Sequence, residues 1–265
     1  MNNIMYDNRY YLRDYHSGNP IGFNFHSIPS ENISNTFFIG SEIEIEPIDD
    51  TDENNLVYKD KLLSSLHKLA DYNWIHCEND DSLVNGVEII TQPMSLQFIR
   101  LYGYNLIKKI NSLIHKYNFT GNKRRCGLHF HISRLNFNSA TEDILWDIFY
   151  RFSNELMFLS GRNNIEHMNH YCRFPISNDH WDQVDRYSAL NLFPTDTIEF
   201  RFPSGLNRSW EWMGWVEFFI GLIKYVVKLK SIRSIEDIAS FTDLINNIPE
   251  SRSIYVKRLL KRLPM

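Results

Sequence analysis

Glutamates occupy every second residue in Glu42-Ile43-Glu44-Ile45-Glu46, and histidines do the same in His129-Phe130-His131. Thr197-Ile198-Glu199-Phe200-Arg201 sets a carboxylate and a guanidinium two residues apart, and Glu88 lies in another apolar stretch, Gly86 to Gln92. A spacing of two puts side chains on one face of an extended strand. If these strands share a sheet, Glu42, Glu44, Glu46, Glu88, His129, His131, Glu199 and Arg201 converge on one polar surface. Carboxylates crowded there raise one another's pKa and oppose folding unless cations neutralise them. Divalent metal is the economical resolution, since carboxylate oxygens favour Mg²⁺ or Mn²⁺ and an occasional imidazole suits Mn²⁺ and is tolerated by Mg²⁺. Each motif alone has a plainer reading. E-x-E-x-E is then a solvated strand face, H-x-H a pair of hydrogen-bonded histidines, and Glu199 with Arg201 a surface ion pair worth little. Residues 127–131 also fit the cupin pattern G-x-H-x-H, but Arg134-Leu135-Asn136-Phe137 stands where that motif wants a glutamate. The functional reading rests on the combination.

The elements that must position these residues follow from periodicity. Thr36 to Pro47 alternates, with Phe37, Ile39, Ile43 and Ile45 opposite the glutamates, and Cys126 to Ser133 alternates with Leu128, Phe130 and Ile132 opposite the histidines. Short strands are expected at Asn73 to Cys77 and Gly86 to Gln92, and a hairpin pairs Arg186 to Leu192 with Thr197 to Phe202. Apolar residues at spacings of three and four predict helices at Lys59 to Tyr72, from Pro93 and Ser95 to near Asn118, Thr141 to Leu159, Ser209 to about Lys230, Ser234 to Asn246 and Arg252 to Leu263. The order reads as α+β with mostly antiparallel strands. Trp210, Trp212 and Trp215 with Phe218, Phe219 and Leu222 read as a core-facing helix.

The chain has 265 residues, 43% of them hydrophobic, with 28 Lys+Arg against 32 Asp+Glu. That is long enough to bury a core without staples, and no linker or repeat divides it. One domain is the default, with an irregular segment over 1–35, the body of the domain over 36–230 and a helical extension over 231–265 packed on it. Net charge of -4 and pI near 6.2 disfavour nucleic acid as a partner. Residues 228–265 carry eight Lys+Arg against four Asp+Glu, a solvated basic face or a docking face for an acidic partner. Cys77, Cys126 and Cys172 form no C-x-x-C pair, which suggests neither a disulfide framework nor a thiolate zinc site. Met1 to Asn19 has no apolar core of a secretory signal, and no stretch suits a bilayer span, so a cytoplasmic setting is expected. No self-complementary patch points to an oligomeric state.

Five segments in order resemble a known family: Gly40-Ser41-Glu42-Ile43-Glu44; Asp80-Asp81-Ser82-Leu83 with Glu88-Ile89-Ile90-Thr91-Gln92-Pro93; Gly127-Leu128-His129-Phe130-His131; Arg186-Tyr187-Ser188-Ala189-Leu190-Asn191; and Thr197-Ile198-Glu199-Phe200-Arg201. They look like the amidoligase family, whose catalytic core is similar to those of glutamine synthetase and glutamate-cysteine ligase, the carboxylate-amine ligases. The resemblance spans about residues 36–220. It implies a mostly antiparallel sheet curved into a partial barrel, with helices on its outer face and ATP with two or three Mg²⁺ (or Mn²⁺) ions on the concave polar face. It assigns Glu44 and Glu88 to one metal, and Glu42, His129 and Glu199 to a second that bridges the ATP phosphates. Arg201 would sit on the transferred phosphoryl group, with Arg186 or Arg173 as further candidates. Glu46 and His131 match less closely; His131 is carried as a nucleotide-side residue and Glu46 is left open.

The implied reaction transfers the γ-phosphoryl group of ATP to a carboxylate, and an amine then displaces phosphate from the acyl phosphate. Asp80, Asp81 and Glu46 are the candidate bases for the incoming ammonium. Substrates would be small-molecule or peptide carboxylates and amines. Two other readings use the same residues: a metal-dependent hydrolase or phosphoesterase, and a catalytically silent binding module.

Overall fold

A computed structural model describes residues 24–69, 74–135, 137–162, 170–176, 185–229 and 238–264. Its centre is strand β1 (Phe38–Pro47), which forms because its β-branched residues fall on one face and its glutamates on the other. β1 pairs antiparallel with β3 (Val87–Thr91) on one side and with β6 (Leu128–Ser133) on the other. β2 (Ile75–Glu78) extends the sheet beyond β3, and β8 (Thr197–Phe200) followed by β7 (Leu190–Asn191) extends it beyond β6. Two short strands, β4 (Met94–Ser95) and β5 (Phe119–Thr120), pair with the two ends of β1. All these strand pairs are antiparallel, and the path ends at β2 and β7 without closing into a barrel.

The apolar face, built from Ile39, Ile43, Ile45, Leu128, Phe130, Ile132, Ile198 and Phe200, is buried. The helix over Ser209–Leu229, α6 in chain order, packs against it: Phe219 stacks on Phe200 with ring centroids 4.1 Å apart and lies 5.4 Å from Phe130. Trp212 Nε1 donates to Ser41 Oγ at 2.9 Å, so the only polar residue on that face of β1 is satisfied by the helix. α6 is apolar on nearly all sides and bears out the core-helix expectation. Its buried carboxylates are compensated, Glu217 by Arg100 and Ser253, and Glu211 by Arg262. Arg262 also donates to Leu159 O, and Arg258 covers the Trp210 ring. Part of the C-terminal basic excess is therefore used inside the molecule.

The remaining helices among the described residues are α1 (Asn55–Leu69), α2 (Leu96–Phe98), α3 (Tyr104–Lys116), α4 (Ser139–Arg151), α5 (Ser153–Ser160), α7 (Phe241–Asn247) and α8 (Ile254–Leu260). Several expectations shift: the described part of the segment Ser234–Asn246 is helical only from Phe241, with Ser240 as the N-cap, and Arg186–Leu192 is strand only at Leu190–Asn191. The single helix from Ser95 is interrupted by a π-helical turn, Ile99–Gly103, where a Cβ on Gly103 would meet Met94 Sδ at 3.0 Å. The single helix over Thr141–Leu159 breaks at Phe152, whose ring packs edge-on against Phe241. α1 begins four residues before Lys59, ahead of its apolar periodicity. Strands β4 and β5 add to the expected set, because two-residue bridges leave no periodic trace in a sequence. Lys230, Ser234, Asn73, Tyr72 and most of 1–35, parts of the expected elements, lie outside the described residues.

Candidate functional site

The ladders bring the expected residues to one face. Glu42 is opposite His129 on β6, and Glu44 is opposite Glu88 on β3. His131 is opposite Glu199 on β8, and Glu199 is opposite Asn191 on β7. Glu44, Glu88, His129, Asn191 and Glu199 are all buried.

Side chains meet accordingly. His129 Nδ1 is 3.0 Å from Glu42 Oε2, and its Nε2 is 3.6 Å from Glu44 Oε1. His131 Nε2 lies 2.9 Å from Glu42 Oε1 and 3.8 Å from Glu199 Oε1. Glu199 is fixed by Asn191 Nδ2 at 2.6 Å and by an ion pair to Arg201. Gly127 N donates to Glu44, and a Cβ on Gly127 would sit 2.6 Å from His129 Nε2. The glycine thus lets backbone approach the site closely.

Among the described residues three overlapping groups result, each with one ligand atom per residue lying within 4.8 Å of the others: Glu42–Glu88–His129, Glu42–His131–Glu199 and Glu44–Asp80–Glu88. Asp80, expected only as a candidate base, joins the Glu44–Glu88 pair. His131, expected on the nucleotide side, joins Glu42 and Glu199 beside His129. The donor chemistry, carboxylate oxygens with one imidazole in two of the groups, fits Mg²⁺ or Mn²⁺.

The electrostatics support that fit. Burial, then Glu42 and Glu44, push the Glu88 carboxyl up to about 11. Burial also raises Glu44, with Asp80 adding to it against the pull of His129 and Arg162. Burial works to raise Glu42 as well, but His131 and His129 outweigh it and hold Glu42 well below the usual range. His131 is raised to about 9, its burial overcome by Glu42 and Glu199. A protonated Glu88 inside a carboxylate cluster is the state a divalent cation would replace.

Beside this acidic cavity lies a second that shares Glu44, Asp80, His129, Arg186 and Arg201 with it and adds Arg125, Arg162 and Tyr171. Arg162 Nε donates to Phe202 O at 3.1 Å and Nη2 to Pro203 O at 3.1 Å, which fixes it under the chain that follows β8. Neither Arg125 nor Arg162 stands in an alternating motif, so the sequence offers no signal beyond their type. Arg173 pairs with Asp185, and its backbone joins Tyr187 and Ala189. Glu46 faces the same side as Glu44 but is bound by Arg125 and Val84 N.

No protein-family profile matches the chain, and no curated protein matches it. Among solved structures, it is similar to a Plasmodium falciparum glutamine synthetase with a TM-score of 0.40 and 14% identity, over 75% of this chain and 52% of that one. It is also similar to GmaS in its apo form without ligand, with a TM-score of 0.42 and 8% identity, over 85% of this chain and 65% of that one. The chain spans about half the length of the first of these proteins and 65% of the second.

Proposed function

We propose that the chain is an ATP-dependent carbon–nitrogen ligase that joins a carboxylate to an amine through an acyl phosphate and releases ADP and phosphate. One observation carries this reading: among the described residues, seven side chains able to bind metal, six on one sheet face and Asp80 on the loop before β3, form three overlapping groups, and Arg186 and Arg201 line the same cavity. The resemblance of five segments to the amidoligase pattern adds to it. In this reading residues 36–230 are the catalytic domain, the sheet curves as a partial barrel with helices outside, and 231–265 is an extension packed on it. Reduced cysteines and available ATP suit a cytosolic setting.

Glu44, Asp80 and Glu88 would hold one ion, and Glu42 and Glu199 with His129 or His131 would hold others. When bound, the ions would neutralise the polyphosphate and the charge developing on the transferred phosphoryl oxygens. Glu199 orients Arg201, and Asn191 orients Glu199, so the guanidinium is set before substrate arrives. Arg201 Nε is buried without a hydrogen-bond partner among the described residues, which leaves a donor for a phosphoryl oxygen. Arg186, exposed at the cavity wall, supplies a second guanidinium. The substrate carboxylate attacks the γ-phosphorus, ADP leaves, and the amine then displaces phosphate. Asp81 lines the arginine-rich cavity outside the three groups and is our assignment for the base that deprotonates the ammonium.

Thermal unfolding with Mg²⁺, ATP and both tests the reading without a known substrate. A ligand at about 100 times its Kd adds roughly 2.7 kcal/mol to the native state. Stabilisation that needs both, and is lost in Glu199→Gln, is the expected result. Stabilisation by metal with no further effect of ATP would overturn the ligase reading in favour of metal-dependent hydrolysis.

A further inference from the structure

β1 keeps its ladder to β3 as far as Ile45, opposite Val87, and to β6 as far as Ile43, opposite Leu128. At Glu46 the partner is Thr120 of β5. Glu46 therefore lies level with the two loops that lead into the strands on either side. One loop carries Asp80 and Val84, the other Arg125 and Gly127. The Glu46 side chain is fully buried, and its carboxylate joins both loops. Oε1 accepts from Val84 N at 2.7 Å and from Arg125 Nε at 2.8 Å, and Oε2 accepts from Arg125 Nη2 at 3.1 Å.

The first loop is locally ordered: Asp80 Oδ1 accepts from Ser82 N at 2.7 Å, and Leu83 N donates to Asp80 O at 3.1 Å. That turn fixes Asp80 relative to Val84. The bond from Val84 N to Glu46 then fixes the turn relative to β1, the strand that carries Glu44. Glu46 belongs to none of the three ligand groups, so its action on the site runs through the loops.

We propose that Glu46 is a positioning residue that ties the Asp80 loop and Arg125 to β1 and thereby sets the affinity of the Glu44–Asp80–Glu88 group for a divalent cation. The inference rests on the metal-site reading above. Glutamine at this position is isosteric but uncharged: with its oxygen in the Oε1 place its amide turns a donor toward Arg125 Nη2 and the charge that holds the guanidinium is lost, and turned the other way it faces both Val84 N and Arg125 Nε.

The test is Mn²⁺ binding to metal-free protein, followed by the loss of free Mn²⁺ signal in electron paramagnetic resonance. Wild type, Glu46→Gln, Asp80→Asn and the double variant are compared, with Leu259→Ala in the α6–α8 core as a control for stability loss. Each single site variant should weaken Mn²⁺ at least tenfold, and the double variant should bind no more weakly than Asp80→Asn alone. Leu259→Ala should lower Tm and leave Mn²⁺ affinity unchanged. Additive losses in the double variant, or an equal loss in Leu259→Ala, overturn the proposal. So does unchanged affinity in Glu46→Gln, which leaves the metal site itself intact. Wild type that binds no Mn²⁺ overturns both the site and the proposal. If Glu46→Gln does not fold, Glu46→Asp, which keeps the charge but is one methylene shorter, replaces it in the same comparison.

Discussion

Glu88 sits directly opposite Glu44 across the β1–β3 ladder, and on its other side it is opposite Glu78 of β2. Three glutamates in a row across adjacent strands are unfavourable in a sheet chosen for stability alone. The fold tolerates the row by keeping Glu88 protonated, and this has measurable consequences.

Metal-free protein should lose stability as pH rises. Glu88 has a folded pKa of about 11, above its unfolded value, so the native state holds a proton that the unfolded chain has released. His131, at about 9, does the same above its unfolded value. The native state therefore binds more protons between about pH 6.5 and 9, where stability falls by up to roughly 1.4 kcal/mol per pH unit for each group. Glu42, held low, contributes in the opposite direction and only in acid. Urea unfolding in a chelator at pH 6, 7, 8 and 9 measures the slope; a flat profile refutes a protonated Glu88 and a raised His131.

Adding Mg²⁺ or Mn²⁺ should release protons and remove most of that slope. The ligands must give up protons to bind a cation, so affinity rises with pH across the same window. Titration in weakly buffered solution with a pH indicator detects the release, and no release at pH 7 would count against Glu88 as a ligand.

Glu88→Gln should raise the Tm of metal-free protein at pH 8 while abolishing stabilisation by metal. The substitution removes the cost of protonating Glu88 on folding at pH 8 and leaves a neutral side chain of the same shape. A site variant that is more stable and less functional is the expected signature of a binding cluster. Lower stability in the absence of metal would mean that Glu88 is structurally required as an acid.

Glu199→Gln should lower turnover by roughly 100-fold or more, with far-UV circular dichroism unchanged. The amide keeps its contact to Asn191 but loses the charge that orients Arg201. Without an assay, loss of Mg-ATP stabilisation serves as the readout.

Two glycines should separate site from scaffold. A Cβ on Gly127 would meet the ends of flexible side chains, His129 Nε2 at 2.6 Å and Arg162 Nη2 at 2.8 Å. Gly127→Ala should therefore weaken metal binding at a modest cost in stability. A Cβ on Gly205 would meet backbone, Gly121 O at 2.2 Å. Gly205→Ala should destabilise by about 1–3 kcal/mol or more and leave the ligand set alone. Thermal melts with and without Mn²⁺ distinguish the two.

Period-two alternation makes the faces of β1, β6 and β8 legible, so Glu42, Glu44, His129 and Glu199 can be named as neighbours from sequence. Alternation says which face a side chain takes and not how far along a neighbouring strand it falls. The pairing of His131 with Glu199 needs the register, and that of Glu44 with Glu88 is available from sequence only through the family resemblance. Asp80, Arg125 and Arg162 reach the cavity from segments without periodicity, where position depends on turns and backbone carbonyls. The long helices are plain from their apolar spacing. The break at Phe152 is not, because it answers to Phe241, about ninety residues away in the chain.

The contact between Phe219 and Phe200 ties the site to the interior. Phe200 follows Glu199, and alternation sends one side chain toward the ligand groups and the other onto α6. The reach of the Glu199 carboxylate is thus calibrated by how thick the aromatic layer behind it is. A substitution such as Phe219→Leu, which touches no ligand, would let β8 settle inward and detune the site from behind. The spacing of the carboxylates and imidazoles on one face of the sheet is in this way coupled, through β8, to the volume of the core on the other.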